Sequence, residues 1–212
     1  MLTIENYTKH YNGVLALQIP DLFLTQGIFW IKGKNGSGKT TLFKSIAGLL
    51  PFEGNIQLLE GIDGKTQPQV YRMLINFGEA EPVFPDFLTA KDLISFVAVT
   101  KKAAATQQER LITTLGIEDF YHKPCGTCSS GMLKKLSLAL AFLGNPALII
   151  LDEPLITLDD QTVEKVYLLI NEYYASGTSF LLSSHQHFGF TSLPIKATYL
   201  VAQQTISLAD EI

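Results

Sequence analysis

Two hydrophobic rhythms alternate along the chain. In Leu2-Thr3-Ile4-Glu5-Asn6-Tyr7 apolar and polar residues exchange in period two, and Val14-Leu15-Ala16-Leu17-Gln18-Ile19 is a second candidate strand, so an antiparallel pair is expected. Ile28-Phe29-Trp30-Ile31, Ile56-Gln57-Leu58-Leu59 and Leu74-Ile75-Asn76-Phe77 read as further short strands. Pro51 to Asn55 breaks the pattern, and Gly61 to Gln69 reads as a polar connection. Ala147-Leu148-Ile149-Ile150-Leu151 and Ser179-Phe180-Leu181-Leu182-Ser183 are continuous apolar runs of the kind that fill parallel strands buried on both faces. Helical spacing appears elsewhere: over Thr40 to Leu50, over Ala90 to Val97 behind the N-cap candidate Thr89, and over Gln107 to Leu115 up to Gly116. Met132 to Leu143 carries one stripe of Leu133, Leu136, Leu140 and Leu143, and Gln161 to Tyr174 follows Asp160 as N-cap candidate and stops at Gly177. Thr198 to Val201 and Thr205 to Leu208 read as a closing hairpin without chemistry. The sum predicts an α/β fold: a mostly parallel sheet flanked by helices, antiparallel β strands at the N-terminal end, and a helical lobe inserted over about residues 82–144 of a single domain spanning 1–212.

Between one strand and one helix of this pattern lies Gly33-Lys34-Asn35-Gly36-Ser37-Gly38-Lys39-Thr40-Thr41, which matches the phosphate-loop pattern G-x-x-x-x-G-K-[ST] at every fixed position. Glycines let the backbone come close to a ligand, so that successive N–H groups at a helix N-terminus point at phosphate oxygens. The predicted core is therefore a P-loop NTPase core. Lys39 is expected to reach the β- and γ-phosphates of a nucleoside triphosphate, and the Thr40 hydroxyl to ligate Mg²⁺. Asp152 and Glu153 end the apolar run at Leu151, where open α/β sheets bind ligands. Asp152 is thus a second candidate Mg²⁺ ligand, and Glu153 faces the γ-phosphate and the attacking water. His185 follows the run Ser179 to Ser183 on the same expected side.

Composition narrows the partners. With 212 residues the chain is long enough for a sizeable core, and 16 Lys and Arg against 20 Asp and Glu give a net charge of −4. The basic residues are scattered, Lys101-Lys102 and Lys134-Lys135 being the densest pairs, which argues against nucleic acid as a partner. The longest apolar region, Leu136 to Leu158, is broken by Asn145-Pro146 and Asp152-Glu153-Pro154, so no bilayer span is expected. Met1 to Asn6 lacks a basic segment followed by an apolar core, and a cytoplasmic location is expected. Cys125 and Cys128 form a C-x-x-C without a second pair. They are read as small residues in a loop leading into a helix rather than as a redox pair or half a zinc site.

Taken in order, these motifs resemble the ATP-binding cassette (ABC) family, the nucleotide-binding subunits of ABC transporters, over essentially the whole chain. Cys128-Ser129-Ser130-Gly131-Met132 stands where that family has its L-S-G-G-Q signature, in a relaxed form similar to ATPases of ABC-2-type exporters. The resemblance implies ATP and Mg²⁺ as cofactors, Glu153 and His185 as catalytic residues, Tyr11 stacked on adenine, and Ser129, Gly131 and the D-loop residue Asp159 at the nucleotide. It further implies a second copy of the chain as partner, with each ATP held between the phosphate loop of one copy and the signature of the other. A separate transmembrane permease would hold the ATPase on the inner face of the membrane. The family's Q-loop glutamine is missing between Phe77 and Thr89; Glu79, with Glu81 as alternative, is expected to contact Mg²⁺ in its place. Phe84 and Phe87, flanking Pro85-Asp86, are expected to meet the permease with Leu88 and Phe96 nearby. A soluble ABC-type ATPase acting on a macromolecular complex is the second reading, and such proteins usually carry two cassettes or a long coiled-coil insertion. An ordinary P-loop kinase would leave Ser129 and His185 unexplained.

Overall fold

In the computed structural model, which describes residues 1–59, 61–184 and 192–209, the period-two segments assemble into two sheets. Strands β1 (Leu2–Tyr11) and β2 (Val14–Leu24) pair antiparallel, and β4 (Glu53–Leu58) adds to the other edge of β1, followed by the two-residue β5 (Ile62–Asp63), in the order β2-β1-β4-β5. The second sheet has the order β10-β9-β3-β8-β7-β6, built from β3 (Ile28–Lys32), β6 (Ile75–Gly78), β7 (Leu148–Leu151), β8 (Ser179–Ser183), β9 (Ile195–Ala202) and β10 (Thr205–Leu208). All its pairings are parallel except the final β9–β10 hairpin. The α/β fold expected from the sequence is the fold observed.

Side-chain alternation on the parallel strands divides the apolar interior into two cores. Leu148 and Ile150 of β7, Leu181 of β8, and Phe29 and Ile31 of β3 face one side, where they meet helix α1 (Lys39–Ile46) and the inner face of the antiparallel sheet. Ile149 and Leu151, Phe180 and Leu182, and Ile28 face the other side, against helices α5 (Ser130–Phe142) and α6 (Asp160–Ala175). A strand buried on both faces leaves its side chains no contact with water, which explains the unbroken apolar text of β7. At about 25 cal/mol per Å² of apolar surface removed from water, each of these Leu, Ile and Phe side chains contributes roughly 1.5–3 kcal/mol before entropy is counted.

Between β6 and β7 the chain forms α3 (Ala90–Lys101) and α4 (Ala105–Leu115) ahead of α5, which packs both on these helices and on β6 and β7. Thr89 caps α3 as expected: its hydroxyl accepts the Asp92 N–H at 3.2 Å, while the Asp92 carboxylate accepts the Thr89 N–H at 3.0 Å. Three expectations need correction. Helix α2 (Pro68–Leu74) lies partly where a polar connection was expected, its start set by Pro68 at the first helical position. Strand β4 begins at Glu53, inside the expected break. The N-cap of α6 is Asp159, not Asp160. Among the described residues no helix is long and apolar enough to cross a membrane.

Candidate nucleotide site

The loop from Gly33 to Gly38 leaves β3 and enters α1 at the C-terminal end of the parallel sheet. Any side chain at Gly33 would collide with it, since a Cβ there would lie 2.5 Å from Ser37 Oγ and 2.6 Å from the Val201 carbonyl. Gly38, at φ 108°, is the N-cap of α1, where only glycine is at ease. The first turn of α1 contains no acidic residue, so the positive end of the helix dipole faces the cavity unneutralised. Ser37 Oγ is buried and makes no hydrogen bond among the described residues. An orphaned hydroxyl beside the free N–H groups of a helix start fits an anion that brings its own acceptor oxygens.

A cavity of about 880 Å³ opens over this loop, lined by Asn35 to Thr41, Tyr11, Ala80, Glu81, Asp152, Glu153 and the turn residues Gln203 and Gln204. Lys39 is buried, and its ammonium donates to the Gly33 carbonyl at 2.7 Å and the Lys34 carbonyl at 3.2 Å. Burial lowers its pKa, an effect opposed by Glu153 and Asp152. The Thr40 hydroxyl donates to Asp152 Oδ2 at 2.6 Å, and Ser183 Oγ donates to Asp152 Oδ1. One hydroxyl and one carboxylate brought together from α1 and from the end of β7 are hard oxygen donors of the kind that hold Mg²⁺ when phosphates and water complete the shell. Glu153 is also buried, sits at φ 46° in the left-handed region, and has its N–H bound to Ser183 Oγ at 3.0 Å. A glutamate held in that conformation carries backbone strain, here at the wall of the cavity.

Tyr11 ends β1 with its ring 45% exposed at the cavity wall, its hydroxyl 3.5 Å from Thr41 Oγ1, and Lys9 Nζ 4.9 Å from its centroid. An aromatic face is thus available to a planar base. Glu79 does not take the place expected for it. Its carboxylate pairs with Lys44 at 3.2 Å away from the cavity, and it is Glu81 that lines the wall. Ser129, Gly131 and Asp159 lie outside the cavity altogether. Ser129 caps α5, accepting the Met132 N–H at 3.3 Å, and Gly131 is required because a Cβ there would stand 2.9 Å from the Thr157 carbonyl. Asp159 accepts the Thr162 N–H at 2.8 Å and meets Lys135 at 3.2 Å. His185 lies outside the described residues.

Sequence reasoning missed two contributors. Gln203 and Gln204 form the β9–β10 turn, both at positive φ, and the Gln204 carbonyl accepts the Gln18 N–H at 2.7 Å, which fixes the hairpin against β2 beside the cavity. Nothing in a hairpin pattern announces that its tip reaches a phosphate loop far back in the chain, so the tail that seemed empty of chemistry closes one wall. The second is Lys134, counted among the scattered basic residues but 1% exposed, with its ammonium bound to the Asp152 carbonyl just past the end of β7. Of the expected basic pair only Lys135 keeps a surface ion pair. Cys125 is buried in a 3₁₀ turn, which raises its pKa, and Cys128 lies just ahead of the α5 cap.

A phosphate loop on the turn from β3 to α1, with a carboxylate from the end of β7, one strand beyond β8, touching its threonine, defines a P-loop nucleotide-binding domain. Within that class the chain belongs to the ABC transporter family, whose model matches residues 24–156, and it carries the ATPase domain of that family. It is 35% identical over 185 residues to the cytochrome c biogenesis ATP-binding export protein CcmA of Legionella pneumophila, covering 86% of this chain and 91% of that protein. The ABC transporter ATP-binding protein YtrB of Bacillus subtilis is 32% identical over 88% of this chain, and the glucosylceramide transporter ABCA12 of Homo sapiens is 29% identical over 85%. The chain spans 64% of the length of the former and 7% of the latter. Among solved structures, an ATP-binding subunit of an ABC transporter superposes with a TM-score of 0.87 at 24% identity, covering 99% of this chain and 89% of that one. A dimeric ATP-binding cassette in a post-hydrolysis state, bound to ADP and Pi, superposes with 0.80 at 19% identity and complete coverage of both chains. These two show the fold.

Proposed function

We propose that this chain is the ATP-hydrolysing subunit of a transporter, acting as a homodimer that closes around two Mg²⁺-ATP molecules on a separate membrane permease. The observation that carries the reading is the division of the expected site residues. The phosphate loop, Asp152 and Glu153 line one cavity, whereas Ser129 and Gly131, at the start of α5, lie away from it. A helix start with no acidic residue in its first turn is suited to a phosphate, and it stands apart from the cavity over its own chain's phosphate loop. A second copy supplies that phosphate, as the ABC relatives and the dimeric neighbour suggest. The alternative, a soluble ABC-type ATPase acting on a macromolecular complex, has no observation in its favour.

In this reading Tyr11 stacks on the adenine, with Gln203 and Gln204 beside it, and the N–H groups from Asn35 to Thr41 hold the phosphates. Lys39 turns from its two carbonyls to the β- and γ-phosphate oxygens. Thr40 and Asp152 hold Mg²⁺, which offsets charge on the β- and γ-phosphates when bound. Glu153 orients a water and accepts its proton as the water oxygen bonds to the γ-phosphorus and the bond to the bridging oxygen of ADP breaks. Glu81, at the cavity wall, stands in for the Q-loop glutamine, and Glu79 is left to pair with Lys44. His185 is proposed to steady the same water.

The test is Glu153→Gln, which keeps shape and removes the proton acceptor. ATP turnover should fall at least about 100-fold while ATP binding persists, and light scattering with ATP should report a stable dimer. Turnover at the wild-type rate removes Glu153 from the mechanism.

A further inference from the structure

We infer that Lys134 is a positioning residue that locks the signature helix to the catalytic carboxylates of its own chain, and thereby couples the two ATP sites of the dimer. The inference rests on the sandwich reading above. Lys134 lies one turn beyond the Ser129 cap of α5 and is 1% exposed. Its ammonium donates to the Glu79 carbonyl at 2.7 Å, the Ala80 carbonyl at 3.1 Å and the Asp152 carbonyl at 3.1 Å. One side chain therefore satisfies all three donors on backbone from two different segments, the loop after β6 and the end of β7. Each of those segments leads directly into the site: Ala80 and Glu81 line the cavity, as do Asp152 and Glu153.

The other end of α5 is tied to β6 as well. Asn76 Nδ2 donates to the Ala141 and Leu143 carbonyls, each at 2.8 Å, and a Cβ at Gly78 would lie in ordinary contact with that of Ala141, at 3.5 Å. Helix α5 is thus held at its first turns by Lys134 and at its last by Asn76, so it moves as one body with β6 and the loop that follows. When the partner's γ-phosphate engages Ser129 and Gly131, the displacement this imposes on the helix start reaches Glu81, Asp152 and Glu153 through the three hydrogen bonds of one ammonium. The energetic logic favours function over stability as the reason for the charge. A buried ammonium is costly to desolvate, a methionine would fill the same volume, and burial indeed depresses the Lys134 pKa to about 8.

The experiment compares wild type, Lys134→Met and Lys134→Arg for steady-state Mg²⁺-ATPase activity, equilibrium binding of a fluorescent ATP analogue, and melting temperature. For Lys134→Met the inference predicts kcat lower by at least about tenfold, since small misplacements of reacting groups are that costly, with a Hill coefficient for ATP falling to about 1. Analogue binding should stay within about twofold, because the phosphate loop is untouched. Lys134→Arg, which keeps the charge and the donors, should recover kcat and cooperativity in part. A Lys134→Met chain with wild-type kcat and cooperativity overturns the inference. So does one whose loss of rate is matched by weakened analogue binding and a lower melting temperature, which would make Lys134 merely structural. Wild-type hydrolysis without cooperativity, together with a Glu153→Gln chain that stays monomeric in ATP, instead defeats the sandwich reading, and this inference with it.

Discussion

The carboxylate of Asp159 accepts both the N–H of Thr162 at 2.8 Å and its hydroxyl at 2.9 Å, and these bonds, with Lys135 alongside, hold its pKa down to about 2 from an ordinary 3.8. Because the folded value lies below the unfolded one, the stabilisation is present above pH 3.8 and is lost as pH falls through about 2. An N-cap of this kind contributes about 1 kcal/mol, and the exposed ion pair with Lys135 adds little. Asp159→Ala should therefore lower the melting temperature by about 2–4 °C at pH 7 and by less at pH 2.5. An equal loss at both pH values would show that the carboxylate is not what caps the helix. At this scale the sequence was most legible where a residue type has one use. Gly33 and Gly38 stand where a side chain would collide or strain the backbone, and Asp152 touches Thr40, as its place at the end of an apolar run implied. It was least legible between near-equals. Asp159 and Asp160 differ by one position at a helix start, and Glu79 and Glu81 differ by which side of a loop they leave. Only the Lys44 partner in space decides the second case.

Helix α3 shows the same split between local and tertiary information. Its N-cap was readable because Thr89 and Asp92 lie three residues apart, whereas which apolar residues face solvent depends on what packs against them. Phe84, expected to be exposed, packs partly buried on the core, while Phe87 is 80% exposed, and Phe96 and Val99, one turn apart on α3, are 71% and 82% exposed. Apolar residues left in water along a loop and the outer face of a helix belong to no core of their own chain. Under the transporter reading this is where the permease binds, with Phe87 as its aromatic anchor. Phe87→Ala should leave ATP-analogue binding unchanged and lower the fraction of the protein recovered with membranes by about tenfold. Recovery at wild-type levels would move the docking site elsewhere. Helix α2 escaped the sequence reading for a different reason: seven residues beginning at Pro68 and flanked by polar text carry too little periodicity to stand out.

For the whole molecule the hydrophobic text specified the architecture because β7 and β8 alternate their side chains between two cores, and only a sheet covered on both faces allows that. Under the proposed sandwich another copy completes the site, and the placement of Ser129 and Gly131 away from the cavity of their own chain is the feature that calls for it. The most direct test mixes two inactive variants. Lys39→Ala removes the phosphate-loop lysine, and Ser129→Arg blocks the signature, each chain being confirmed folded by its melting temperature because Ser129 also caps α5. If each site is built from the phosphate loop of one copy and the signature of the other, random exchange makes half the dimers mixed. Each of these carries one intact site, and activity should return to at most about a quarter of wild type. A mixture no more active than its separate components, with subunit exchange shown by native mass spectrometry, would contradict the shared site.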